Sequence, residues 1–236
     1  MPPNLKRTVA VVITLLIFTN LFTLALLLKD HRSRFPGRSK PEGNLTIQVE
    51  HIPSAEATPE FNFTKVPAPA KINAATSARF SLVTGREGGA GLAKLQASYL
   101  PGGPDDPDES FFFPDGTYGG RFMIDFNQAI GIQQINTYSW HIGPRAPQLY
   151  KLYGKEDTAN LEPVGSKDPV TLGWKFLADV DTRPASGEPG GQYGVSISSP
   201  QGVIGHYRYL LFDCRRTESN DRWGNTFYSK VDVIGQ

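Results

Sequence analysis

Residues 119–154 read GGRFMIDFNQAIGIQQINTYSWHIGPRAPQLYKLYG, and they carry the clearest strand pattern in the chain. Three short runs rich in aromatic and β-branched residues lie at 122–126, 130–140 and 148–153. Asn127, Gly143-Pro144 and Gly154 end these runs. Runs of this length and composition, bounded by turn-forming residues, predict consecutive β-strands. No helix-length segment with a 3.6-residue period separates them, so we expect antiparallel connections.

Runs of the same kind continue toward the C-terminus. Further strands are expected at 174–178 (WKFLA), 207–211 (YRYLL) and 229–233 (SKVDV). In order, the chain has an aromatic–hydrophobic–Asp–Phe strand, an Ile-x-x-Ile strand, an Arg, a Tyr-x-Leu strand and these three segments. This set resembles the galactose-binding-like domain of the discoidin, or coagulation factor V/VIII type C, family. The resemblance implies an all-β fold, an antiparallel jelly-roll β-sandwich of about eight strands, which we place at 70–236.

The core face of these strands is predicted from the two-residue period of a β-strand. The residues expected to point inward are Ile132, Ile135, Tyr150, Leu152, Tyr209, Leu211, Val231 and Val233. The run at 207–212 is apolar on both faces, which is typical of a central strand that is covered on both sides.

Composition agrees with an all-β domain and excludes some partners. The 236 residues include 24 Gly and 19 Pro, which favours many turns. A formal net charge of +1 gives no general attraction to nucleic acid. Cys214 is the only cysteine, so no internal disulfide can form. The resembled family commonly has a bridge that joins the domain ends, and this chain departs from that pattern.

The N-terminal segment predicts a membrane anchor. Residues 8–28 contain no charged residue and are mostly Val, Leu, Ile and Phe. At about 1.5 Å per residue a helix of this length spans roughly 30 Å, the thickness of a hydrocarbon core. The run is longer than a signal-peptide apolar region and lacks an A-x-A cleavage pattern. We therefore expect an uncleaved single transmembrane helix at 8–28 after a short tail at 1–7, rather than a buried core helix.

The orientation of this anchor is ambiguous from the sequence. More basic residues follow the span than precede it, which by the positive-inside rule favours a cytoplasmic C-terminal domain. The short tail and the resemblance favour a domain outside the cytoplasm, and we expect that arrangement. Proline recurs through polar sequence at 29–69, which predicts an extended linker or stalk. Asn44 and Asn62 match the N-glycosylation acceptor pattern.

Three loops between the predicted strands could recognise a ligand. The first is 140–145 (WHIGPR), which combines an indole, an imidazole and a guanidinium around one turn. The second is 221–225 (DRWGN), and the third combines Asp181 and Arg183 with the turn at 190–193 (GGQY). The candidate ligand-binding residues are Trp140, His141, Arg145, Arg183, Tyr193, Arg222 and Trp223. A plainer interpretation is that Trp140 caps the core and Arg145 pairs with a carboxylate.

Carboxylates crowd a loop rich in Pro and Gly before the first of these strands. Asp105, Asp106 and Asp108 supply the hard oxygen ligands that Ca²⁺ prefers, and galactose-binding-like domains often carry a structural calcium. The spacing fits no EF-hand, and exposed carboxylates are usually only solvated. The hypothesis is a structural calcium ion at these three residues, with no other cofactor.

No catalytic motif emerges from the sequence. The chain has no G-x-S-x-G and no H-E-x-x-H, and its four histidines are scattered. We therefore expect a membrane-tethered, non-catalytic binding module that recognises carbohydrate or another cell-surface ligand, without nucleic acid. The alternative is a structural or assembly protein of the envelope that uses Phe111, Phe112, Phe113 and Tyr153 as a protein–protein interface.

Overall fold

The computed structural model describes residues 44–156, 161–218 and 223–236. Within them, regular structure consists of β-strands and short 3-10 helices, with no α-helix. The ten strands are β1 Thr46–Pro53, β2 Arg79–Thr84, β3 Gly88–Gly89, β4 Phe111–Phe112, β5 Gly119–His141, β6 Leu149–Lys155, β7 Lys175–Asp181, β8 Gly191–Ser198, β9 Gly205–Arg215 and β10 Tyr228–Gly235. The 3-10 helices are Ala74–Ser77, Leu92–Gln96, Pro107–Glu109 and Pro169–Leu172.

Strand β5 joins two antiparallel layers. Its first half, up to Asp125, pairs with β2 on one edge and β9 on the other, and β9 continues to β6 and β7. Its second half pairs with β8 and β10, and β8 continues to β1 while β10 continues to β4 and β3. The predicted all-β antiparallel fold is confirmed.

The sequence predicts two strands where the structure has one long strand with a bulge. The register against β9 shifts between Asp125 and Ile130. Asn127, with φ 66°, adopts the left-handed conformation that Asn tolerates better than most residues. Its backbone N–H donates to Asp125 Oδ1 at 2.8 Å, which stabilises the bulge locally. The bulge lets the chain pass from one layer to the other without a loop.

The main core lies between the two layers. Six of the residues predicted to point inward, Ile132, Ile135, Tyr150, Leu152, Val231 and Val233, are buried in this core. Tyr209 and Leu211 are buried too, but they belong to a second cluster with Trp174 and Phe176. On β9 it is Leu210 and Phe212 that face the main core. The direction predicted for Tyr209 and Leu211 is therefore wrong, because both faces of this strand are covered and its apolar pattern does not distinguish them.

The predicted stalk differs from the structure in its second half. Thr46–Pro53 forms β1, which pairs with β8 over eight residues without a register shift. Phe61 and Val66 then pack against Tyr138 and Trp140 in a third apolar cluster. The prolines of residues 44–69 led to the prediction of an extended stalk. In the structure, the apolar side chains of this segment instead cover one face of the sheet. Residues 29–43 of the predicted stalk, and the predicted anchor at 8–28, lie outside the described residues.

Two other expectations from the sequence can be compared with the described residues. Within them no helix is long and apolar enough to cross a membrane. The aromatic residues assigned to a protein–protein interface are mostly internal: Phe111, Phe113 and Tyr153 are buried, and Phe112 stacks on Phe227 at 4.4 Å between ring centroids. Phe111, Phe113 and Tyr153 therefore offer little exposed surface for the expected interface, and a protein–protein interface stays a prediction.

Candidate functional site

Three connections meet at one end of the sandwich. The register places His141 opposite Gly191, and Leu149 opposite Asp181. Because these strand ends coincide, the β5–β6 loop (142–148) and the β7–β8 loop (182–190) are neighbours. A side chain at Gly190 would collide with the carbonyl oxygen of Ile142, so glycine allows the two loops to touch. The β9–β10 loop (216–227) joins them, since Thr217 Oγ1 donates to the carbonyl of Pro144 at 2.7 Å.

A groove with a volume of about 550 Å³ lies between these three loops. Its lining combines four prolines and a glycine with one hydroxyl and three ionisable side chains. The lining residues are Pro144, Pro147, Asp181, Arg183, Pro184, Gly187, Pro189, Thr217 and Glu218. Among the predicted ligand-binding residues that the structure describes, Arg183 is the one that lines this groove.

Arg183 and Asp181 form a two-point ion pair inside the groove. Arg183 Nε donates to Asp181 Oδ1 at 2.8 Å, and Nη2 donates to Oδ2 at 2.6 Å. Both side chains are nearly half exposed, at 46% and 45%. The hydrogen bonds from Arg183 hold the pKa of Asp181 below its usual value. The pair therefore presents an ionised carboxylate and an oriented guanidinium side by side to anything in the groove.

The β5–β6 loop, which forms one wall, is held by buried hydroxyl groups. Ser139 Oγ donates to the carbonyl of Ala146 and Thr226 Oγ1 donates to that of Pro147, each at 2.6 Å. Together with the bond from Thr217 to Pro144, these side-chain bonds satisfy three carbonyls of the loop, those of Pro144, Ala146 and Pro147. The wall is therefore fixed without regular secondary structure.

Gln148 fixes the junction between this wall and the β7–β8 loop. Its backbone N–H donates to Thr182 Oγ1 at 2.7 Å, and its side-chain Nε2 donates to the carbonyls of Thr137 and Tyr193. The side chain is fully buried. Gln148 was not among the sequence candidates, although a polar residue at the start of a buried strand is a signal that could have singled it out.

Arg145 contacts protein groups instead of the groove. Its guanidinium carbon lies 3.9 Å from the ring centroid of Phe227 and 4.8 Å from that of Phe112. Its Nε donates to the carbonyl of Asn225 at 3.0 Å, and the residue is 9% exposed. Among the described residues, a carbonyl and two aromatic rings contact this guanidinium, and the expected pairing with a carboxylate stays a prediction. Arg145 positions the loops, which corrects its assignment as a ligand contact.

His141 joins the β5–β6 loop to the acidic segment. Gly143 N–H donates to His141 Nδ1 at 2.9 Å, and His141 Nε2 lies 3.1 Å from Asp105 Oδ1. Burial lowers the pKa of His141, while the Asp105 carboxylate acts in the opposite direction. The imidazole is therefore neutral near pH 7, with its proton on the nitrogen that faces Asp105. Both ring nitrogens are used within the protein.

Trp140 and Tyr193 are internal, which differs from their assignment as ligand contacts. Trp140 is 4% exposed and packs edge-on against Phe61 at 5.6 Å between ring centroids. Tyr193 is 2% exposed and stacks on His51 at 4.3 Å. Burial raises the pKa of Tyr193 to about 12. The plainer interpretation of Trp140 as a core cap is the one that fits this packing.

Trp223 is on the surface at the same end of the molecule. Its side chain is 45% exposed, and its carbonyl accepts the Asn225 N–H at 2.6 Å. Asn225 Nδ2 in turn donates to the carbonyls of Pro114 and Thr117, at 3.3 and 3.2 Å. These bonds tie the Trp223 loop to the segment that carries the 81% exposed Tyr118. Arg222 lies outside the described residues, so its assignment stays a prediction.

Two of the three aspartates of the calcium hypothesis have other side-chain contacts. Asp105 faces His141, and Asp106 Oδ1 accepts the N–H of Asp108 at 3.1 Å at the start of a 3-10 helix. No group of three or more His, Cys, Asp or Glu among the described side chains is arranged to hold a metal ion. Calcium binding by Asp105, Asp106 and Asp108 stays a prediction.

Comparison with known proteins gives structural similarities of low identity. No family model and no curated protein sequence matches the chain. It is similar to CBM32-1 from a family 31 glycoside hydrolase of Clostridium perfringens, at 11% identity and TM-score 0.44, over 69% of this chain and 96% of that one. It is also similar to the fucolectin of striped bass (Morone saxatilis) serum, at 13% identity and TM-score 0.41, over 69% of this chain and 48% of that one. A third similarity is to GH31 CBM32-2 bound to GalNAc, at 12% identity and TM-score 0.36, over 82% of this chain and 100% of that one.

Proposed function

We propose that this protein is a non-catalytic binding module that recognises carbohydrate in the groove between the β5–β6, β7–β8 and β9–β10 loops. The Asp181–Arg183 pair carries the proposal. Sugar hydroxyls both donate and accept hydrogen bonds, and vicinal hydroxyls match a carboxylate beside a guanidinium. Both side chains are close to half exposed, so they can contact a ligand without unfolding of a loop.

The rigidity of the groove supports binding. A saccharide offers few apolar atoms, so its affinity depends on polar groups that are already oriented before it binds. The buried bonds from Ser139, Thr217 and Thr226 hold one wall, and the salt bridge orients Arg183. Less side-chain ordering is then needed when the ligand arrives.

Apolar surface near the groove supplies the second half of sugar recognition. Pyranose rings present C–H faces, which contact prolines and stack on indole rings. Pro144, Pro147 and Pro184 line the groove, and Trp223 is exposed on the loop that contributes Thr217 and Glu218. Trp223 replaces Trp140 as the aromatic platform in this account.

The experiment that tests this function is a glycan array probed with the full chain and with two variants. Arg183→Ala removes the donor in the groove, and we expect it to reduce binding of every array ligand by at least about tenfold. Arg79→Ala is the matched control, because Arg79 is exposed on β2 opposite Asp125, near the bulge of β5. Equal binding by wild type and Arg183→Ala, or no glycan binding at all, would contradict the proposal.

We further propose that the module is tethered to a membrane by residues 8–28, with the sandwich outside the cytoplasm. Residues 8–28 are uncharged and mostly apolar, and they are long enough to cross a bilayer as a helix, which supports this part of the proposal. Carbonate extraction of native membranes tests the tether, and we expect the full chain to stay in the pellet. Protease added to intact cells tests the side, and a domain that resists digestion until the cells are lysed would reverse the orientation.

A further inference from the structure

The charge of the groove sets which class of saccharide it accepts. Three ionisable side chains occur among its described lining residues: Asp181, Arg183 and Glu218. At neutral pH they carry two negative charges and one positive charge. The described part of the lining therefore has a formal charge of minus one, although the whole chain has a net charge of +1.

Arg183, the one basic side chain among the described lining residues, already has partners within the protein. Two of the three guanidinium nitrogens of Arg183 bond Asp181, at 2.8 and 2.6 Å, and the third lies 3.5 Å from the carbonyl of Thr217. The hydrogen bonds to Asp181, together with the charges of Asp181 and Glu218, raise the pKa of Arg183. A ligand carboxylate could therefore bind Arg183 only by competing with the Asp181 carboxylate.

The other basic residues that the structure describes at this end of the sandwich lie outside the groove lining. Arg145 is buried between Phe112 and Phe227, and Arg216 stacks over the ring of Tyr118 at 4.4 Å. Arg215 Nη2 lies 3.8 Å from the Asp213 carboxylate on β9. None of these three belongs to the groove lining, so they do not offset the excess carboxylate there.

We infer that the groove selects saccharides that carry no acidic group and discriminates against uronic acids, sialic acids and sulfated sugars. This inference rests on the proposed carbohydrate-binding function. The Asp181 and Glu218 carboxylates accept hydrogen bonds from sugar hydroxyls, which an uncharged saccharide supplies. A ligand carboxylate in the same place would be repelled by them.

The size of the effect follows from Coulomb's law. Two unit charges about 5 Å apart at an effective dielectric constant between about 20 and 80 repel enough to weaken binding by several-fold to a few hundredfold. Salt reduces this repulsion, because the screening length falls from about 10 Å at 0.1 M to about 3 Å at 1 M. If charge repulsion weakens binding of an acidic saccharide, its affinity should rise with ionic strength. If the saccharide simply does not fit the groove, its affinity should not change with ionic strength.

The test uses matched glycan pairs on an array, such as glucose-terminated and glucuronic-acid-terminated members, at about 0.05 M and about 0.5 M salt. We expect the full chain to bind the neutral member at least about tenfold more tightly at low salt. Higher salt should strengthen binding of the acidic member and leave the neutral member unchanged. Glu218→Gln should narrow the difference, whereas Glu188→Gln, an exposed residue of the β7–β8 loop outside the lining, should not.

The outcomes separate this inference from the proposed function. Equal or tighter binding of the acidic members, or a preference that Glu218→Gln leaves intact, overturns the charge selection while glycan binding stands. Absence of binding to every neutral and acidic glycan overturns the proposed function, and the selectivity inference with it.

Discussion

Arg145 and Asn225 are joined by a buried hydrogen bond that links two of the loops around the groove. Arg145 Nε donates to the Asn225 carbonyl at 3.0 Å, and the guanidinium lies over the ring of Phe227. The Arg145 carbonyl accepts the N–H of Phe227 at 2.9 Å, so the two loops are tied in both directions. The groove therefore depends on a guanidinium that does not line it.

Replacement of Arg145 by alanine should destabilise the protein and disorder the groove. It removes a buried hydrogen bond and the contacts with two rings, which together cost about 2–4 kcal/mol. Urea denaturation measures the change. Arg145→Lys retains the charge but loses the planar contacts, so it should fall between alanine and wild type. A free energy of unfolding within about 0.5 kcal/mol of wild type for Arg145→Ala would contradict this role.

Replacement of Thr217 by valine should weaken ligand binding more than it weakens the fold. Valine has a similar shape but lacks the hydroxyl that bonds the carbonyls of Pro144 and Gly224. We expect a loss of about 1 kcal/mol in unfolding free energy and a several-fold loss of glycan affinity, because the groove wall moves. Thr171→Val, on an exposed 3-10 helix, is the control. Unchanged affinity with the expected loss of stability would show that the hydroxyl serves the fold alone.

The two tryptophans that the sequence could not distinguish should respond in opposite ways. Trp140 is packed against Phe61, so Trp140→Ala should cost about 3–5 kcal/mol of stability. Trp223 is 45% exposed, so Trp223→Ala should change stability by less than about 1 kcal/mol and reduce glycan affinity. Thermal denaturation and array binding of the same two variants check this. A Trp223→Ala protein that binds like wild type would remove the aromatic platform.

Sequence reasoning found the strands because their composition and turn residues are local signals. It located β5, β6, β7, β9 and β10 closely, and it predicted the antiparallel pairing. It missed β1, because Thr46–Pro53 lies between proline-rich segments and gains its stability from β8, far along the chain. The alternation of polar and apolar residues in Thr46–Pro53 was the sequence signal that could have predicted this strand.

The candidate site was harder to predict than the fold. Trp140 and Trp223 each adjoin a glycine-containing turn and polar residues, but only tertiary packing buries one and exposes the other. Arg183 was nominated together with Asp181 and the turn at 190–193, because these polar residues lie between predicted strands. Glu218 and Thr217 were missed, since their role arises from the meeting of three loops that are distant in sequence.

Asp232 should make the stability of the protein depend on pH. It is fully buried on β10, accepts bonds from Ala70 N–H at 2.6 Å and Asn73 Nδ2 at 2.7 Å, and faces Lys230. Burial raises the pKa of Asp232 to about 6, above its ordinary value of 3.8. Between these values the folded state holds a proton that the unfolded state has released, so this group's contribution to stability falls as the pH rises.

The Asp232→Asn variant isolates that contribution. The quantity to follow is the free energy of unfolding of the wild type minus that of the variant. This difference should fall by up to about 3 kcal/mol between about pH 4 and about pH 6, and it should stay constant at higher pH. Asp125 and Asp181 have lowered pKa values, so their contributions to stability rise with pH. Both proteins contain these residues, so their contributions cancel in the difference. Urea denaturation across this range provides the data, and a constant difference would refute the assignment.

The groove as the carbohydrate site is tested most directly by hydrogen–deuterium exchange of the full chain with and without a glycan that the array identifies. We expect slower exchange in peptides that cover 181–190 and 216–218, and no change at the bulge around Asn127, near the middle of β5. Protection confined to segments away from the three loops, with the glycan bound, would contradict the account.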